Sequence, residues 1–259
     1  ETLAARLDHP AVRSAPEPLE DTAPFVRAVE AYVRLGGGTP DAAAITADAA
    51  DLAPDLRRAL ARVVEAMTRA ARARDAAIPP RFLPQVFSDG PAFVAFNARG
   101  RSLDPATEAV RVLLNQTMDY GRLFGGGADV LDALAAAELA RFRGTPTSTA
   151  SAPAAPLFSQ PTPYRRIVVG GAEPDVYVPG ATGLEGDIAL LVDLGGDDVY
   201  RVQAGGNASP DNPVSLLVDL GGDDLHGYVE RPNLGDGPRL PSDDGGRYLP
   251  QGDPDEDYG

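Results

Sequence analysis

The chain has 259 residues, enough for a sizeable hydrophobic core, and a formal net charge of −15 at pH 7. It has no cysteine, which excludes disulfides and thiolate metal sites, and no apolar run reaches the roughly 20 residues of a membrane-spanning helix. The negative charge is concentrated in residues 151–259, which hold 19 acidic residues and 6 arginines. A surface of this sign repels nucleic acid and attracts cations. We therefore expect no nucleic-acid partner and no membrane span.

Residues 1–143 are predicted to form an α-helical domain, because apolar residues recur there at helical spacing. Gly36 is predicted to end the first helix, and the glycines at 125–127 are predicted to end the third. The four predicted helices begin near Asp21, Pro54, Asp104 and residue 128, the last of them running to residue 142.

The next segment, 144–163, is rich in Ser, Thr, Pro and Ala, a composition that predicts a linker. Residues 164–228 then change character to aliphatic runs, glycine and aspartate, which predicts a region of β-repeats. Residues 229–259 are rich in Pro, Gly and Asp and are predicted to be an irregular tail that leads to further repeats.

The β-repeat region contains the phrase LLVDLGGDD twice, at 190–198 and 216–224, a spacing of 26. The aliphatic residues predict a strand, the paired glycines predict a tight turn with positive φ, and a second short strand follows each turn. In the first copy, one strand face is predicted to hold Ile188, Leu190 and Val192, and the other Ala189, Leu191 and Asp193. Because both faces carry apolar residues, the helical domain is expected to cover one of them.

A weaker copy of the repeat precedes these two. Asp175 and Tyr177 stand 23 residues before Asp198 and Tyr200, and His226 takes the same aromatic position in the last copy. His226 is therefore predicted to be a half-buried ring in a stack of aromatic residues rather than a metal ligand or a catalytic base. Units of this length suit a stacked solenoid or a meander of hairpins, and the repeat period favours a parallel β-helix or solenoid-like region. The predicted fold class is thus α+β, an N-terminal α-helical region followed by a β-repeat region.

Stacking such units would bring their aspartates together, and like charges opposite each other in a sheet are destabilising. The carboxylates must then either point into water or hold a cation. Calcium takes 6–8 oxygen ligands from carboxylates and carbonyls, which an Asp-x-Gly-Gly-Asp-Asp turn supplies. The predicted calcium ligands are Asp193, Asp197, Asp198, Asp219, Asp223 and Asp224.

The turns LGGDDVY and LGGDDLH resemble the calcium-binding glycine and aspartate turns of secreted bacterial β-roll proteins. The phrase D-L-G-G-D-D is also similar to repeats in bacterial surface or secreted proteins. The match covers about eight residues per unit. It departs from the nonapeptide pattern in its spacing and in having Asp197 or Asp223 where that pattern has its third glycine. The resemblance implies calcium binding and an extracellular or cell-surface location.

The function predicted on these grounds is an exported or cell-surface bacterial structural or binding protein whose turns bind calcium. Its other expected partners are protein subunits or the remainder of a processed chain. One alternative is an extracellular carbohydrate-active enzyme, a glycoside hydrolase or polysaccharide lyase on a β-helix, for which no catalytic residue can be assigned. In another, the helical region binds a partner protein and the repeats act as a spacer.

Overall fold

A computed structural model describes residues 23–79, 105–145, 156–181, 183–202, 204–205 and 212–227. The predicted tail at 229–259 and the middle of the predicted linker, 146–155, lie outside these residues. Helices precede strands along the described chain, which confirms the α+β class, and none of the described helices is long and apolar enough to cross a membrane. The helices are α1 (Pro24–Leu35), α2 (Ala42–Asp48), α3 (Pro54–Ala77), α4 (Pro105–Thr117) and α5 (Tyr120–Ala137), followed by a 3-10 turn at Leu139–Phe142.

The ends of the first two helices follow from local chemistry. Proline opens α1, where its missing N–H costs nothing, and Gly36 caps the other end as predicted. The sequence pattern does not predict α2. Its signal is Asp41, whose carboxylate accepts hydrogen bonds from the backbone N–H groups of Ala43 and Ala44, both at 3.0 Å. This is the standard N-cap arrangement of a helix.

The prediction that the glycines at 125–127 end a helix is wrong, since all three lie inside α5. The chain instead breaks at Asp119, whose side chain caps α5 by accepting from the N–H of Arg122 at 2.9 Å. Gly126 faces α3, where an added Cβ would lie 2.9 Å from the Cβ of Ala73. Glycine is therefore used here for close approach of two helices, a tertiary requirement that the local sequence does not reveal.

Replacing Gly126 by alanine is expected to destabilise the protein by about 1–3 kcal/mol, because the added methyl group forces α3 and α5 apart. Gly127→Ala is the matched control: the same helix gains the same methyl group, but no atom lies within 4 Å of it. The control is expected to be stabilised by roughly 0.5–1 kcal/mol through helix propensity. Urea unfolding of both variants measures the two effects, and equal signs would contradict the close approach.

The strands form two sheets, in the orders β1-β2-β4-β6 and β3-β5-β7. All neighbouring strands are parallel except β1 and β2. Each unit of the repeat contributes one strand to each sheet, and we call these units rungs: β2 with β3, β4 with β5, and β6 with β7. The described residues form two open sheets and no closed β-helix. The strands are β1 (Phe158–Gln160), β2 (Arg166–Val169), β3 (Val176–Tyr177), β4 (Ile188–Asp193), β5 (Val199–Tyr200), β6 (Leu216–Asp219) and β7 (Leu225–His226).

The predicted linker at 144–163 is not irregular throughout, because β1 lies within it. Phe158 of β1 pairs with Val169 of β2 and is 1% exposed. Its ring lies edge-on against Phe25 of α1, with the centroids 4.9 Å apart. One buried aromatic residue thus fixes a segment whose composition predicts a linker.

Two hydrophobic cores lie on the two faces of the larger sheet. The outer core joins the sheet to the helices, as predicted, and includes Val29 of α1, Leu60 of α3 and Leu190 of β4. The inner core lies between the two sheets and includes Leu191 and Tyr200. The larger sheet is therefore covered on both sides, which explains why its central strand is buried along its whole length.

The predicted faces of β4 are right at its carboxyl end and wrong at its start. Arg166 pairs with Ile188, but the next residue, Ile167, pairs with Leu190, so Ala189 is an extra residue in the strand. This bulge reverses the alternation, so that Ile188 joins the inner core and Ala189 the outer core. Leu191 keeps its predicted side, and Asp193 continues that side into the space between the sheets.

Candidate metal centre

The paired glycines make the turn that brings successive rungs together. Gly195 and Gly196 have φ values of 128° and 127°, a region that other residues rarely adopt. A Cβ on Gly196 would lie 2.6 Å from the carbonyl oxygen of Glu173 in the first rung. On the other side, the Gly196 N–H donates to the carbonyl of Gly221 in the third rung at 2.9 Å. Glycine is needed here both for the turn and for the close stacking of backbones.

The rungs stack in register, which places equivalent aspartates beside each other. Asp193 is paired with Asp219, as the repeat predicts. Asp193 and Asp198 of the second rung are 0% and 1% exposed, whereas Asp219 and Asp224 of the third rung are half-buried. The carboxylates therefore do not all point into water, and the second rung carries two acidic groups in the protein interior.

Backbone amides bind these carboxylates from the neighbouring rung. The N–H of Asp175 donates to Oδ1 of Asp198 at 2.7 Å, and the N–H of Asp198 donates to Oδ1 of Asp224 at 2.9 Å. Within each turn, Asp193 accepts from the N–H of Gly195 at 2.7 Å, and Asp219 accepts in the same way from its own turn. The aspartates thus link the rungs through side-chain hydrogen bonds in addition to the strand pairing.

Aromatic residues form a column beside the carboxylates. Tyr177 and Tyr200 stack with centroids 5.0 Å apart, and Tyr200 stacks on His226 at 4.7 Å. This confirms the stacking of His226, but its side chain is exposed and not half-buried as predicted. The Tyr200 hydroxyl donates to Oδ2 of Asp198 at 3.2 Å, and the Tyr177 hydroxyl makes a short hydrogen bond to Oδ2 of Asp193. The tyrosines therefore supply hydrogen-bond donors to the acidic groups.

Gly170 explains how Tyr177 reaches Asp193. Because Val169 pairs with Val192, Gly170 takes the position in the first rung that Asp193 holds in the second. A Cβ at Gly170 would overlap both the Tyr177 hydroxyl and Oδ2 of Asp193. The first rung lacks this aspartate, and the space it leaves holds the tyrosine hydroxyl.

Among the described residues, this stacking forms two groups of three aspartates, and in each group one carboxylate oxygen per aspartate lies within 4.8 Å of the other two. The inner cluster is Asp175, Asp193 and Asp198, all buried. The outer cluster is Asp198 with Asp219 and Asp224, of which only Asp198 is fully buried. Asp198 belongs to both, so the two clusters are successive levels of one acidic column.

The two remaining predicted ligands lie elsewhere. Asp197 and Asp223 are exposed and outside both clusters, and the N–H of Asp223 donates to Oδ1 of Asp197 at 2.9 Å. Conversely, Asp175 is a cluster member that is not among the predicted ligands. The sequence feature that could have identified Asp175 is its position in the weak first copy of the repeat, where it aligns with Asp198 of the second copy.

Burial and, to a smaller extent, repulsion between carboxylates favour the protonated forms of Asp175, Asp193 and Asp219. Burial raises the pKa of the Asp193 carboxyl to about 8, and nearby Asp198 adds to the effect, while the hydrogen bonds from Tyr177 and Gly195 oppose it. Burial also raises the pKa values of Asp175 and Asp219. These effects favour a proton within the inner cluster, which lowers the negative charge of that cluster.

The two clusters differ in how well they fit a metal ion. All three aspartates of the inner cluster are buried, so water has little access to an ion there. In the outer cluster Asp219 and Asp224 are half-buried, so water can complete a coordination shell. Three carboxylates with adjacent water fit a hard cation such as calcium. The outer cluster is therefore the better candidate for a metal, and the inner cluster is better suited to a proton.

Comparisons of the chain with protein-family models, with curated proteins and with solved structures found no match. The assignment of the site consequently depends on the geometry of the two clusters.

Proposed function

We propose that the protein is an exported or cell-surface bacterial structural or binding protein whose rungs are part of a parallel β-solenoid that binds calcium. The observation that carries the proposal is the recurrence of one three-aspartate arrangement at two successive levels of the stack. A repeated arrangement of this kind is an architectural feature. Of the predicted ligands, Asp198, Asp219 and Asp224 are the ones proposed to hold the ion.

The charge of the outer cluster favours a divalent cation. Three carboxylates within 4.8 Å repel one another strongly unless a positive charge or protons lie between them. Calcium accepts irregular sets of 6–8 oxygens, whereas magnesium requires a stricter octahedron. Asp198 belongs to the second rung, and Asp219 and Asp224 belong to the third. A bound ion would therefore join two rungs and stabilise the stack.

The proposed location follows from the expected affinity. The outer cluster supplies three carboxylates and depends on water for the rest of the shell, which is typical of a weak site. Extracellular calcium modules bind with dissociation constants of roughly 10⁻⁴–10⁻³ M, the range that such a site suits. This supports the proposal that the protein works outside the cell, where calcium is abundant.

The enzymatic alternative receives less support from the same geometry. Asp193 and Asp198 are 0% and 1% exposed, so a polysaccharide could not touch them. Their carboxylate oxygens are instead bound by backbone amides and tyrosine hydroxyls. A catalytic pair must reach its substrate, whereas a structural pair is expected to be enclosed in this way.

Calcium at about 10 mM is expected to raise the melting temperature of the full chain by about 3–10 °C, because an ion that binds only the folded state stabilises it by an amount that grows with the ratio of its concentration to its Kd. The measurement is a thermal melt with chelator, with calcium in the millimolar range, and with magnesium. Asp219→Asn should abolish most of the shift by removing a ligand. Asp223→Asn, the matched control, changes the same charge in the same turn outside the cluster and should retain it. An unchanged melting temperature in calcium, or equal loss in both variants, would refute the site.

A further inference from the structure

The second and third rungs contain the same strand sequence but differ in burial. The residues LLVD at 190–193 are all 0% exposed, whereas LLVD at 216–219 are only partly buried. Likewise Tyr200 is 2% exposed, but His226 at the same level of the next rung is exposed. Since the LLVD residues are identical in the two rungs and lie in register, their position in the stack causes the difference in their burial. The third rung shows the burial that a rung has when only one of its sides is covered.

The backbone hydrogen bonds have a direction that repeats from rung to rung. Carbonyl groups of the second rung accept from N–H groups of the third: Asp193 from Leu220, Asp198 from Leu225 and Tyr200 from Gly227, at 2.8–3.1 Å. The equivalent carbonyls of the third rung belong to Asp219, Asp224 and His226. In the second rung, the N–H groups of Gly196 and Asp198 donate to acceptors in the third rung. The equivalent N–H groups of the third rung belong to Gly222 and Asp224.

These groups lie at the free edge of both sheets, since the described strand orders end at β6 and β7. At the opposite end of the larger sheet, β1 pairs with β2 and runs antiparallel to it. A further parallel strand can therefore add in register beside β6, whereas β1 already occupies the corresponding position beside β2. An open strand edge with an aliphatic face is a known site for the addition of another strand.

We propose that the edge formed by β6 and β7 is a docking surface for one further rung, supplied by another polypeptide. The occupant is defined by chemistry: a parallel four-residue aliphatic strand, a Gly-Gly-Asp-Asp turn and a second short strand with an inward-facing ring. The β4–β6 and β5–β7 pairings are the interface that it continues. Residues 228–259 contain no run of four aliphatic residues, so this segment does not repeat the pattern. The docking does not depend on the proposed calcium site.

The test uses the full chain and a synthetic peptide with the sequence of residues 212–227, which is itself a complete third rung. Amide hydrogen exchange of the isotope-labelled chain is measured as the peptide is added, with chelator and with calcium. Because the docked peptide would accept from Gly222 and Asp224, exchange at these two amides is expected to slow roughly tenfold or more. Saturation at one peptide per chain is expected under both conditions.

Two modified peptides test the direction of docking. N-methylation at the positions of Leu220 and Leu225 removes the N–H groups that would face the chain, and protection should be lost. N-methylation at the positions of Gly222 and Asp224 removes the same number of N–H groups from the side that faces away, and protection should remain. Equal behaviour of the two peptides would overturn the proposed register.

Two other occupants would also overturn the proposal. If the peptide protects only a chain truncated after Gly227, the edge is covered by the chain's own residues 228–259. If the full chain is a dimer in which exchange at Gly222 and Asp224 is already slow and becomes faster on dilution, the occupant is a second copy. No slowing in either the full or the truncated chain would show that the edge does not accept a rung.

Discussion

Replacing Asp193 by asparagine is expected to remove most of the dependence of folding stability on pH between about 4 and 8. Burial raises the pKa of Asp193 to about 8, far above the ordinary carboxyl value near 3.9, so the folded state holds a proton that the unfolded chain releases. This stability is fully present below the unfolded pKa and is lost as the pH rises through about 8. One such proton corresponds to about 1.4 kcal/mol of stability lost per pH unit.

Asparagine is suited to this position because it cannot acquire a charge and can keep the same partners. Its amide oxygen can accept from the N–H of Gly195, and its amide nitrogen can donate to the hydroxyl of Tyr177. The variant should therefore be more stable than the original protein at pH 8. A weaker slope should remain, because the pKa of Asp175 in the same cluster is also raised by burial.

Asp197→Asn is the matched control, since Asp197 is the exposed neighbour of Asp198 in the same turn and lies outside both clusters. Guanidinium unfolding at several pH values, with chelator present, measures the slope for each protein. The control should keep the full slope, and its loss in Asp193→Asn alone would establish the buried proton. A full slope in Asp193→Asn would mean that Asp193 is ionised in the folded state.

The stacking of the rungs could be predicted from the sequence because identical phrases adopt identical conformations. The pairing of Asp193 with Asp219 and the alignment of Tyr177 with Tyr200 both follow from the spacing of the copies. The composition of the clusters is harder to predict. Asp197 and Asp198 are both aspartates, so their residue type does not show which of them joins a cluster. Neighbouring residues of an extended chain point to opposite sides, so only one of the two can face inward. The inward side is the one occupied by Asp198, because the aromatic ring two residues later also points inward.

Other features depend on contacts between distant parts of the chain. The glycine at 126 is required by α3, which is separated from it by about fifty residues of sequence, and Phe158 is ordered by α1. The bulge at Ala189 arises from the pairing with β2. None of these contacts leaves a periodic signal in the sequence, so local patterns predicted a helix end, a linker and a regular strand in their places. The stacking of the repeat could be predicted because each copy pairs with another copy of the same phrase.

A large effect of a core substitution is expected at Leu191, which is 0% exposed and lies between the two sheets with Val168 and Tyr200. Leu191→Ala should destabilise the protein by about 2–5 kcal/mol, because it removes buried methyl groups and leaves a cavity. Leu217→Ala is the matched control, because it makes the same substitution at the equivalent position of the third rung. Leu217 is paired with Leu191, has the same neighbours in sequence and differs mainly in lying on the outermost described rung.

Because Leu217 is only partly buried, its replacement should cost less than about 2 kcal/mol, as expected for a side chain that loses fewer contacts. Urea unfolding of the two variants at one pH, with chelator, gives the difference directly. Equal losses of stability would mean that the third rung is as enclosed as the second, which would contradict the open edge at β6 and β7.

Occupation of that edge should by the same reasoning increase the loss of stability caused by Leu217→Ala. Repeating the Leu217→Ala measurement with the rung peptide present therefore links core packing to docking. The peptide should bring the cost of the outer substitution towards that of the inner one, because both leucines would then lie between two neighbouring rungs.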